Sequence, residues 1–135
     1  MKKKLCVFAL IVLTAIFAVS TYFLLTQNIE DKKQMNDFEE IQDIVDDNSN
    51  DIYSLGIYSN LYEQNSDFMA WIKIEGTNIN YPVMRSKDNP NYYLNHNFNK
   101  EYSRFGVPYM QEDCDMQSDN IVIYGHNMQN KSMFN

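Results

Sequence analysis

The sequence has only two cysteines among its 135 residues, and they lie in very different contexts. Cys6 lies inside an apolar run near the N-terminus, and Cys114 lies in a polar stretch far beyond it. We expect the two thiols to lie on different sides or depths of a membrane, which excludes a disulfide between them. The roughly 110 residues beyond the apolar run therefore lack the disulfide framework of small secreted domains, and a modest hydrophobic core must stabilise them.

Positive charge is also scarce. The chain has 11 basic and 18 acidic residues, for a net charge of -7. Without the three lysines at positions 2–4, the remainder has 8 basic against 18 acidic residues, a net charge near -10. Such a surface repels nucleic acid and offers no basic patch for anionic lipids. The composition therefore excludes a nucleic-acid partner and leaves membrane attachment to a hydrophobic helix alone.

One long uncharged segment is present, at residues 5–25. A helix rises about 1.5 Å per residue, so these 21 residues span the roughly 30 Å hydrocarbon core of a bilayer. The preceding lysines place residues 1–4 in the cytoplasm by the positive-inside bias. A cleaved signal peptide, with Ala18-Val19-Ser20 as the cleavage site, is the alternative. The run continues through Leu25, which is longer than an ordinary signal core and favours an uncleaved single-pass anchor in the cell membrane. Both interpretations export the rest of the chain.

Helical spacing follows in residues 26–66, which we interpret as a linker of N-terminal helices. The first stretch ends in the breaker-rich residues 46–50, and a second stretch follows it. The apolar positions of the two stretches are Phe38, Ile41 and Ile44/Val45, then Leu55, Tyr58 and Leu61/Tyr62. Such stripes on short helices are typical of packing onto the following domain, and the alternative is a surface that docks a partner.

From Phe68 the pattern changes to the alternation that is typical of strands. We predict strands at residues 71–75 and 79–83, joined by a turn at Gly76-Thr77, and we expect an edge or an irregularity at Pro82. A short helix or turn is predicted at residues 89–94, a third strand at 107–110, and a buried central strand at 121–124. Short strands without long helices between them predict a mostly β fold, an antiparallel or mixed β-barrel with helices at its N-terminal side.

Few residues are suited to chemistry. His126, in Tyr124-Gly125-His126-Asn127, follows the predicted buried strand, where a rigid support presents side chains to a cleft and an acid/base group is well placed. The residues alone favour the alternative, a histidine that only forms hydrogen bonds at a strand end. We expect His96 to be a solvated loop residue, and the 30-residue separation of the two histidines argues against a zinc site. Cys114 is a poor nucleophile because the flanking Asp113 and Asp115 disfavour its thiolate.

Four blocks, taken in order, resemble the class B sortases. They are residues 67–83 (DFMAWIKIEGTNINYPV), 91–98 (NYYLNHNF), 106–110 (GVPYM) and 120–128 (NIVIYGHNM), the last followed by Ser-Met-Phe at 132–134. The resemblance covers about half of the chain, from Asp67 to its last residue. Two departures are mild: Ala70 stands where the family usually has glycine, and Asn80 where an acid is common. Four blocks in unbroken order are far more specific than a single Tyr-Gly-His triplet.

The resemblance implies a cysteine transpeptidase that needs no metal or organic cofactor. Such enzymes cleave an Asn-Pro-x-Thr-like sorting signal on surface proteins and transfer the product to an amine of a cell-wall precursor. His126 corresponds to the catalytic histidine. The implied fold is a transmembrane helix plus the first half of a sortase-type β-barrel, incomplete at residues 67–135.

The family's cysteine and arginine strands have no counterpart here, since Cys114 precedes His126 and matches no nucleophile position. We therefore hypothesise that the chain is ended early and is inactive and poorly stable by itself. A noncatalytic membrane-anchored binding module, for surface proteins or a partner sortase, is the alternative function. A third possibility is that another chain supplies the missing half.

Overall fold

A computed structural model describes residues 2–47, 54–128 and 132–134 of the chain. Its first element, α1 (Lys2–Asp47), is a single helix of 46 residues. By length and composition, the apolar part of this helix is able to cross a membrane, a property that N-terminal signal sequences share. Residues up to Asn36 form one compact unit, and Asp37 to Asn135 form a second unit that contains every other element. The predicted membrane segment and the helix predicted after it are therefore parts of one continuous helix.

The last turns of α1 belong to the second unit and bury the predicted stripe. Phe38 and Val45 are buried and Ile41 packs against the core, whereas Ile44 is exposed. The Phe38 ring meets the Tyr81 ring edge-on, with centroids 5.3 Å apart. Most of the breaker-rich stretch at residues 46–50 lies outside the described residues.

The second helix, α2 (Ser54–Gln64), packs by a face that overlaps the predicted one in part. Leu61 is buried and Ile57, one turn earlier, packs against the core, while Tyr62 is 54% exposed. The Tyr58 ring stacks on the buried Phe68, with centroids 6.2 Å apart. The predicted face is confirmed for Leu61 and for the contact that Tyr58 makes, but Tyr62 does not lie on the buried face. A tyrosine can cover apolar surface and still keep its hydroxyl in water, so it is a weaker marker of the core than Ile or Leu.

Among the described residues, four strands form a mixed sheet in the second unit. They are β1 (Phe68–Lys73), β2 (Asn80–Met84), β3 (Tyr109–Met110) and β4 (Ile123–Tyr124). Their order in the sheet is the order in the chain: β1 pairs antiparallel with β2, β2 parallel with β3, and β3 antiparallel with β4. A 3-10 helix, Tyr92–Leu94, lies in the connection between β2 and β3, where a short helix or turn is predicted.

The first hairpin agrees with the sequence pattern. The Thr77 amide donates to the Ile74 carbonyl (3.2 Å) in a turn where Gly76 has a φ of 78°. Pro82 pairs with Trp71 of β1, and β3 pairs with β2 only at Met84. Pro82 thus lies where β2 has one neighbour, as the edge-strand expectation requires.

The core lies between the helices and the sheet. Its fully buried side chains include Leu61, Met84, Tyr93, Phe105 and Met133. The prediction of a buried central strand at residues 121–124 is wrong: β4 is the last strand of the sheet in the described part of the chain, and Ile121 and Tyr124 are 38% and 45% exposed. The apolar run is half-covered because only β3 lies beside it there.

Candidate functional site

His126 lies two residues beyond β4 and is half-buried. Its Nε2 atom lies 2.8 Å from the carbonyl oxygen of Leu94, the last residue of the 3-10 helix. A carbonyl oxygen accepts hydrogen bonds and donates none, so Nε2 must carry the proton. In the neutral ring, Nδ1 is then the basic nitrogen, able to accept a proton from a reacting group.

The backbone of His126 is held from the other side. Its carbonyl oxygen accepts a hydrogen bond from the Phe134 amide (3.0 Å), and Asn127 forms an antiparallel bridge with Met133. The Met133 amide in turn donates to the Tyr81 hydroxyl (3.2 Å), and burial raises the pKa of Tyr81 above its usual value. The position of His126 is therefore fixed both through its ring and through its main chain.

The 3-10 helix that supplies the Leu94 carbonyl is itself anchored in the core. Tyr93 is fully buried, and its hydroxyl donates to Oδ2 of Asp67 (2.8 Å) while it accepts from Nδ2 of Asn65 (3.0 Å). Burial is the main reason that the pKa of Tyr93 is raised far above its usual value. The Tyr93 carbonyl accepts from the amide of Val107 (3.0 Å), just before β3. The partner of His126 thus rests on buried contacts rather than on a mobile loop.

His96 is attached to the same 3-10 helix in a different way. Its ring stacks on Tyr92, with centroids 3.8 Å apart and planes at 9°. Its Nδ1 atom lies 2.7 Å from the Tyr92 carbonyl oxygen, so Nδ1 carries the proton. The expectation of a solvated loop histidine is wrong, because the ring is half-buried against an aromatic side chain. The structure gives His96 the geometry of a structural residue.

Cys114 packs in a separate small cluster with Val83 and Met110. Its side chain is 7% exposed, and its Sγ atom lies 3.6 Å from the Asn120 carbonyl oxygen. The thiol is therefore packed in the interior, whereas reactive cysteines lie at partly exposed sites. The structure does not bring Cys114 to His126, whose ring contacts Leu94. Within residues 2–47, 54–128 and 132–134, no group of three or more His, Cys, Asp or Glu is arranged to hold a metal.

A cavity of about 430 Å³ lies beside the end of β4. Two tyrosines of its wall are held by side-chain amides: Tyr124 donates to Gln111 (2.9 Å), and Tyr109 donates to Asn91 (3.3 Å). Burial, and to a smaller extent Tyr124, raises the pKa of Tyr109. The cavity is lined by Pro90, Asn91, Tyr109, Gln111, Glu112 and Tyr124. Tyr124 lies two residues before His126 and Asn91 directly precedes the 3-10 helix, whereas His126 and Leu94 are not among the lining residues.

The partner of His126 was not foreseen from the sequence. A main-chain carbonyl has no residue-type signal, and Leu94 would serve in the same way if it were another residue. The only signal was indirect: the glycine of the third resembling block, Gly106, lies against the same carbonyl.

The sequence of the chain is similar to those of two sortase B proteins. No family model matches the chain. It is 28% identical over 138 residues to sortase B of Staphylococcus aureus, which covers 98% of this chain and 55% of that protein. It is 41% identical over 76 residues to sortase B of Listeria monocytogenes, which covers 55% of this chain and 30% of that protein. The chain thus spans about half the length, or less, of the curated relatives it matches.

Solved structures give the same result. A mutant form of Clostridium perfringens sortase B matches with a TM-score of 0.65 and 40% identity, over 73% of this chain and 47% of that chain. The S. aureus sortase B–substrate complex matches with a TM-score of 0.69 and 29% identity, over 78% and 50%. A sortase B complexed with triglycine matches with a TM-score of 0.69 and 30% identity, over the same shares. The four-stranded sheet therefore matches part of the fold of these proteins.

Proposed function

Since this chain is a homologue of class B sortases and spans about half of their length, we propose that it is the His-bearing part of a cysteine transpeptidase. The observation that carries the proposal is the hydrogen bond from His126 Nε2 to the Leu94 carbonyl, which leaves Nδ1 as the basic nitrogen of the neutral ring. In this proposal, residues 67–135 are the first half of a sortase-type β-barrel, and β4 is the strand whose end presents the acid/base residue.

The proposed chemistry is acyl transfer in two steps. A cysteine thiolate, supplied by a segment that these 135 residues do not contain, attacks the main-chain carbonyl carbon of the threonine in a sorting signal, and the bond from that carbon to the next residue's nitrogen breaks. His126, as imidazolium, protonates the leaving amine, and a thioester remains. An incoming amine then attacks the thioester while His126 accepts its proton, so the histidine returns to its starting state. Residues 1–135 alone would have the acid/base group without the nucleophile, and we expect no turnover from them.

The substrates in this proposal are surface proteins with an Asn-Pro-x-Thr-like sorting signal, and the acceptor is an amine of a cell-wall precursor. Support comes from solved relatives that were obtained as a substrate complex and as a complex with triglycine. The cavity of about 430 Å³ beside β4 offers tyrosine rings and amide groups to an extended polar peptide. No metal or organic cofactor takes part in the proposed reaction.

Residues 5–25 of α1 are the proposed anchor. With residues 1–4 in the cytoplasm, the anchor holds residues 26–66 and the partial barrel outside the cell membrane, beside membrane-tethered substrates and lipid-linked precursors. A test is the length of the mature chain in membranes: a product that begins near residue 20 or 21 would contradict the anchor and favour a cleaved signal peptide.

The proposed reaction is testable with a chimera. Residues 1–135 are fused to the part of S. aureus sortase B that lies C-terminal to its matched region, and a fluorogenic Asn-Pro-x-Thr peptide reports cleavage. We expect cleavage by the chimera and none by residues 1–135. We expect His126→Ala to reduce the rate by at least about 10²- to 10⁴-fold, the usual contribution of a general acid/base. His96→Gln is the matched control and should remain active.

Each contrary outcome has a distinct meaning. An active chimera that tolerates His126→Ala would overturn the assignment of the catalytic residue. Cleavage by residues 1–135 that His126→Ala abolishes would overturn their proposed inactivity. A chimera that binds the peptide without cleaving it would favour the noncatalytic binding module instead.

A further inference from the structure

Gly106 lies against the main chain of the 3-10 helix. Its φ is 58°, in the left-handed region, and a Cβ atom at this position would overlap the carbonyl oxygens of Tyr93 and Leu94. Glycine is required here for two reasons: the backbone conformation disfavours other residues, and the approach leaves no room for a side chain. The second of these contacts concerns the same carbonyl group that accepts from His126.

The turn that carries Gly106 is rigid. The buried Ser103 side chain accepts hydrogen bonds from the amides of Phe105 and Gly106, each 3.1 Å long. The Gly106 amide also lies 3.2 Å from the Ser103 carbonyl oxygen, and the next amide, of Val107, donates to the Tyr93 carbonyl oxygen (3.0 Å). The turn therefore holds the end of the 3-10 helix by direct backbone contact.

The two histidines of the chain have opposite protonated nitrogens as a result. Nδ1–H of His96 donates a hydrogen bond to the Tyr92 carbonyl, and Nε2–H of His126 donates one to the Leu94 carbonyl. The tautomers differ because a different ring nitrogen of each histidine faces a carbonyl oxygen of the same short helix.

We propose that Gly106 is a positioning residue for His126: its turn holds the Leu94 carbonyl where it keeps the proton on Nε2 and leaves Nδ1 to exchange protons with the reacting amines. The catalytic part of this inference rests on the proposed function. Nδ1 gives its proton to the leaving amine and regains one from the incoming amine, while the other proton stays on Nε2, hydrogen-bonded to the Leu94 carbonyl. A larger residue at position 106 would displace the carbonyl and allow the other tautomer.

The test is NMR of the full 135-residue chain in detergent micelles, labelled with ¹⁵N-histidine, at a pH where both rings are neutral. Only two histidines contribute, and His96→Gln and His126→Gln assign them. We expect His126 in the Nε2–H form and His96 in the Nδ1–H form. In Gly106→Ala, the two nitrogen signals of His126 should move toward each other as the tautomers mix, while those of His96 keep their separation.

Gly76→Ala is the matched control. Gly76 also has a positive φ, 78°, but no atom lies within 4 Å of a Cβ built there, so the variant strains the backbone without touching the 3-10 helix. It should keep the wild-type His126 signals. If Gly106→Ala fails to fold, Ser103→Ala loosens the same turn without added bulk and should produce the same mixing. Wild-type His126 in the Nδ1–H form, or unchanged His126 signals in a folded Gly106→Ala or Ser103→Ala, would overturn the proposal.

Activity in the chimera is scored separately. Gly106→Ala should lower kcat by on the order of 10- to 100-fold with little change in KM, because the histidine is misplaced while the peptide site is kept. An inactive wild-type chimera with the expected tautomers would overturn the proposed function and leave the positioning of His126 standing. An active chimera whose His126 is in the Nδ1–H form would overturn the positioning inference alone.

Discussion

The hydroxyl of Tyr93 donates a 2.8 Å hydrogen bond to Oδ2 of Asp67, from a side chain with no exposed surface. Lys100 also lies 3.1 Å from the same carboxylate oxygen, so a buried phenol and a surface cation share one acceptor. This relationship connects the 3-10 helix to the start of β1. The buried phenol also leads to the first of four predictions about stability, which concerns its dependence on pH.

The folded chain should lose stability at high pH. Burial raises the pKa of Tyr93, and those of Tyr81 and Tyr109 change in the same direction. The folded chain therefore holds these protons more tightly than the unfolded chain, so this contribution to stability is complete below the unfolded-state pKa, about 10, and is lost as the pH rises above it. The thermal midpoint, followed by the fluorescence of Trp71, should fall as the pH rises above about 10.

Tyr93→Phe should make that fall shallower, because it removes one of the phenols. Tyr102→Phe is the matched control, since Tyr102 is 74% exposed, and it should leave the slope unchanged. A steeper pH dependence in Tyr93→Phe than in the wild type would contradict the assignment.

Asn65 should be among the most sensitive polar positions. Its buried side chain donates to the Tyr93 hydroxyl (3.0 Å) and to the Phe98 carbonyl (2.6 Å), and it accepts from the Asp67 amide (3.0 Å). Asn65→Ala leaves several buried groups without this partner, and we expect it to lower the free energy of unfolding by about 2–4 kcal/mol. Chemical denaturation of the full chain in mild detergent measures the change.

Asn60→Ala is the control for this substitution. Asn60 lies in α2 on the exposed side, where its side chain meets Gln64. We expect Asn60→Ala to change the free energy of unfolding by no more than about 0.5 kcal/mol. Equal losses in the two variants would show that the Asn65 network does not stabilise the fold.

Gly125 should not tolerate a side chain. A Cβ there would lie 2.8 Å from two ring carbons of Phe134, so Gly125→Ala would crowd this ring. The amide of Phe134 is the donor to the His126 carbonyl. We expect a loss of about 1–3 kcal/mol. Phe134→Leu provides space, and the double variant should be more stable than the sum of the single changes by about 1 kcal/mol.

Gly56→Ala should raise the free energy of unfolding, whereas Gly125→Ala should lower it. Gly56 lies in α2, and no atom is within 4 Å of a Cβ built there. Because alanine has a higher helix propensity than glycine, this control should increase the free energy of unfolding by about 0.5–1 kcal/mol.

If the effects of Gly125→Ala and Phe134→Leu on the free energy of unfolding add fully in the double variant, the two residues do not interact.

Lys100 is held in the left-handed region, with a φ of 64°. Both Lys100→Gly and Lys100→Ala remove the ion pair with Asp67, which contributes little because half of the lysine side chain is exposed. Only glycine relieves the backbone strain. We expect Lys100→Gly to be more stable than Lys100→Ala by about 1 kcal/mol, the difference between the strain and the entropy that glycine adds to the unfolded chain. Equal thermal midpoints for the two variants would contradict this backbone assignment.

Local patterns were enough to predict the hairpin of β1 and β2. The alternation of Ile72 with its neighbours, the turn at Gly76 and the expectation at Pro82 all concern residues close in the chain, where pairing follows from the period and the turn. The burial of Phe38 and Val45 followed in the same way from helical spacing.

The failures concern what lies next to an element. Tyr124 of β4 is 45% exposed, and Ile57 rather than Tyr62 joins Leu61 on the inner face of α2. Both outcomes depend on partners distant in sequence. The candidate site shows the same limit. His126 was found from its own neighbours, whereas the carbonyl that orients it belongs to Leu94, 32 residues earlier.

The strands lie in the sheet in the order in which they occur in the chain. During synthesis, each strand of the second unit therefore emerges when its partner is already present, and each addition closes only the loop back to the previous strand. Pairing of near neighbours lowers the contact order and favours fast folding. Among the four described strands, β4 comes last in the chain, so the segment that presents His126 is synthesised after the 3-10 helix and after the turn that carries Gly106.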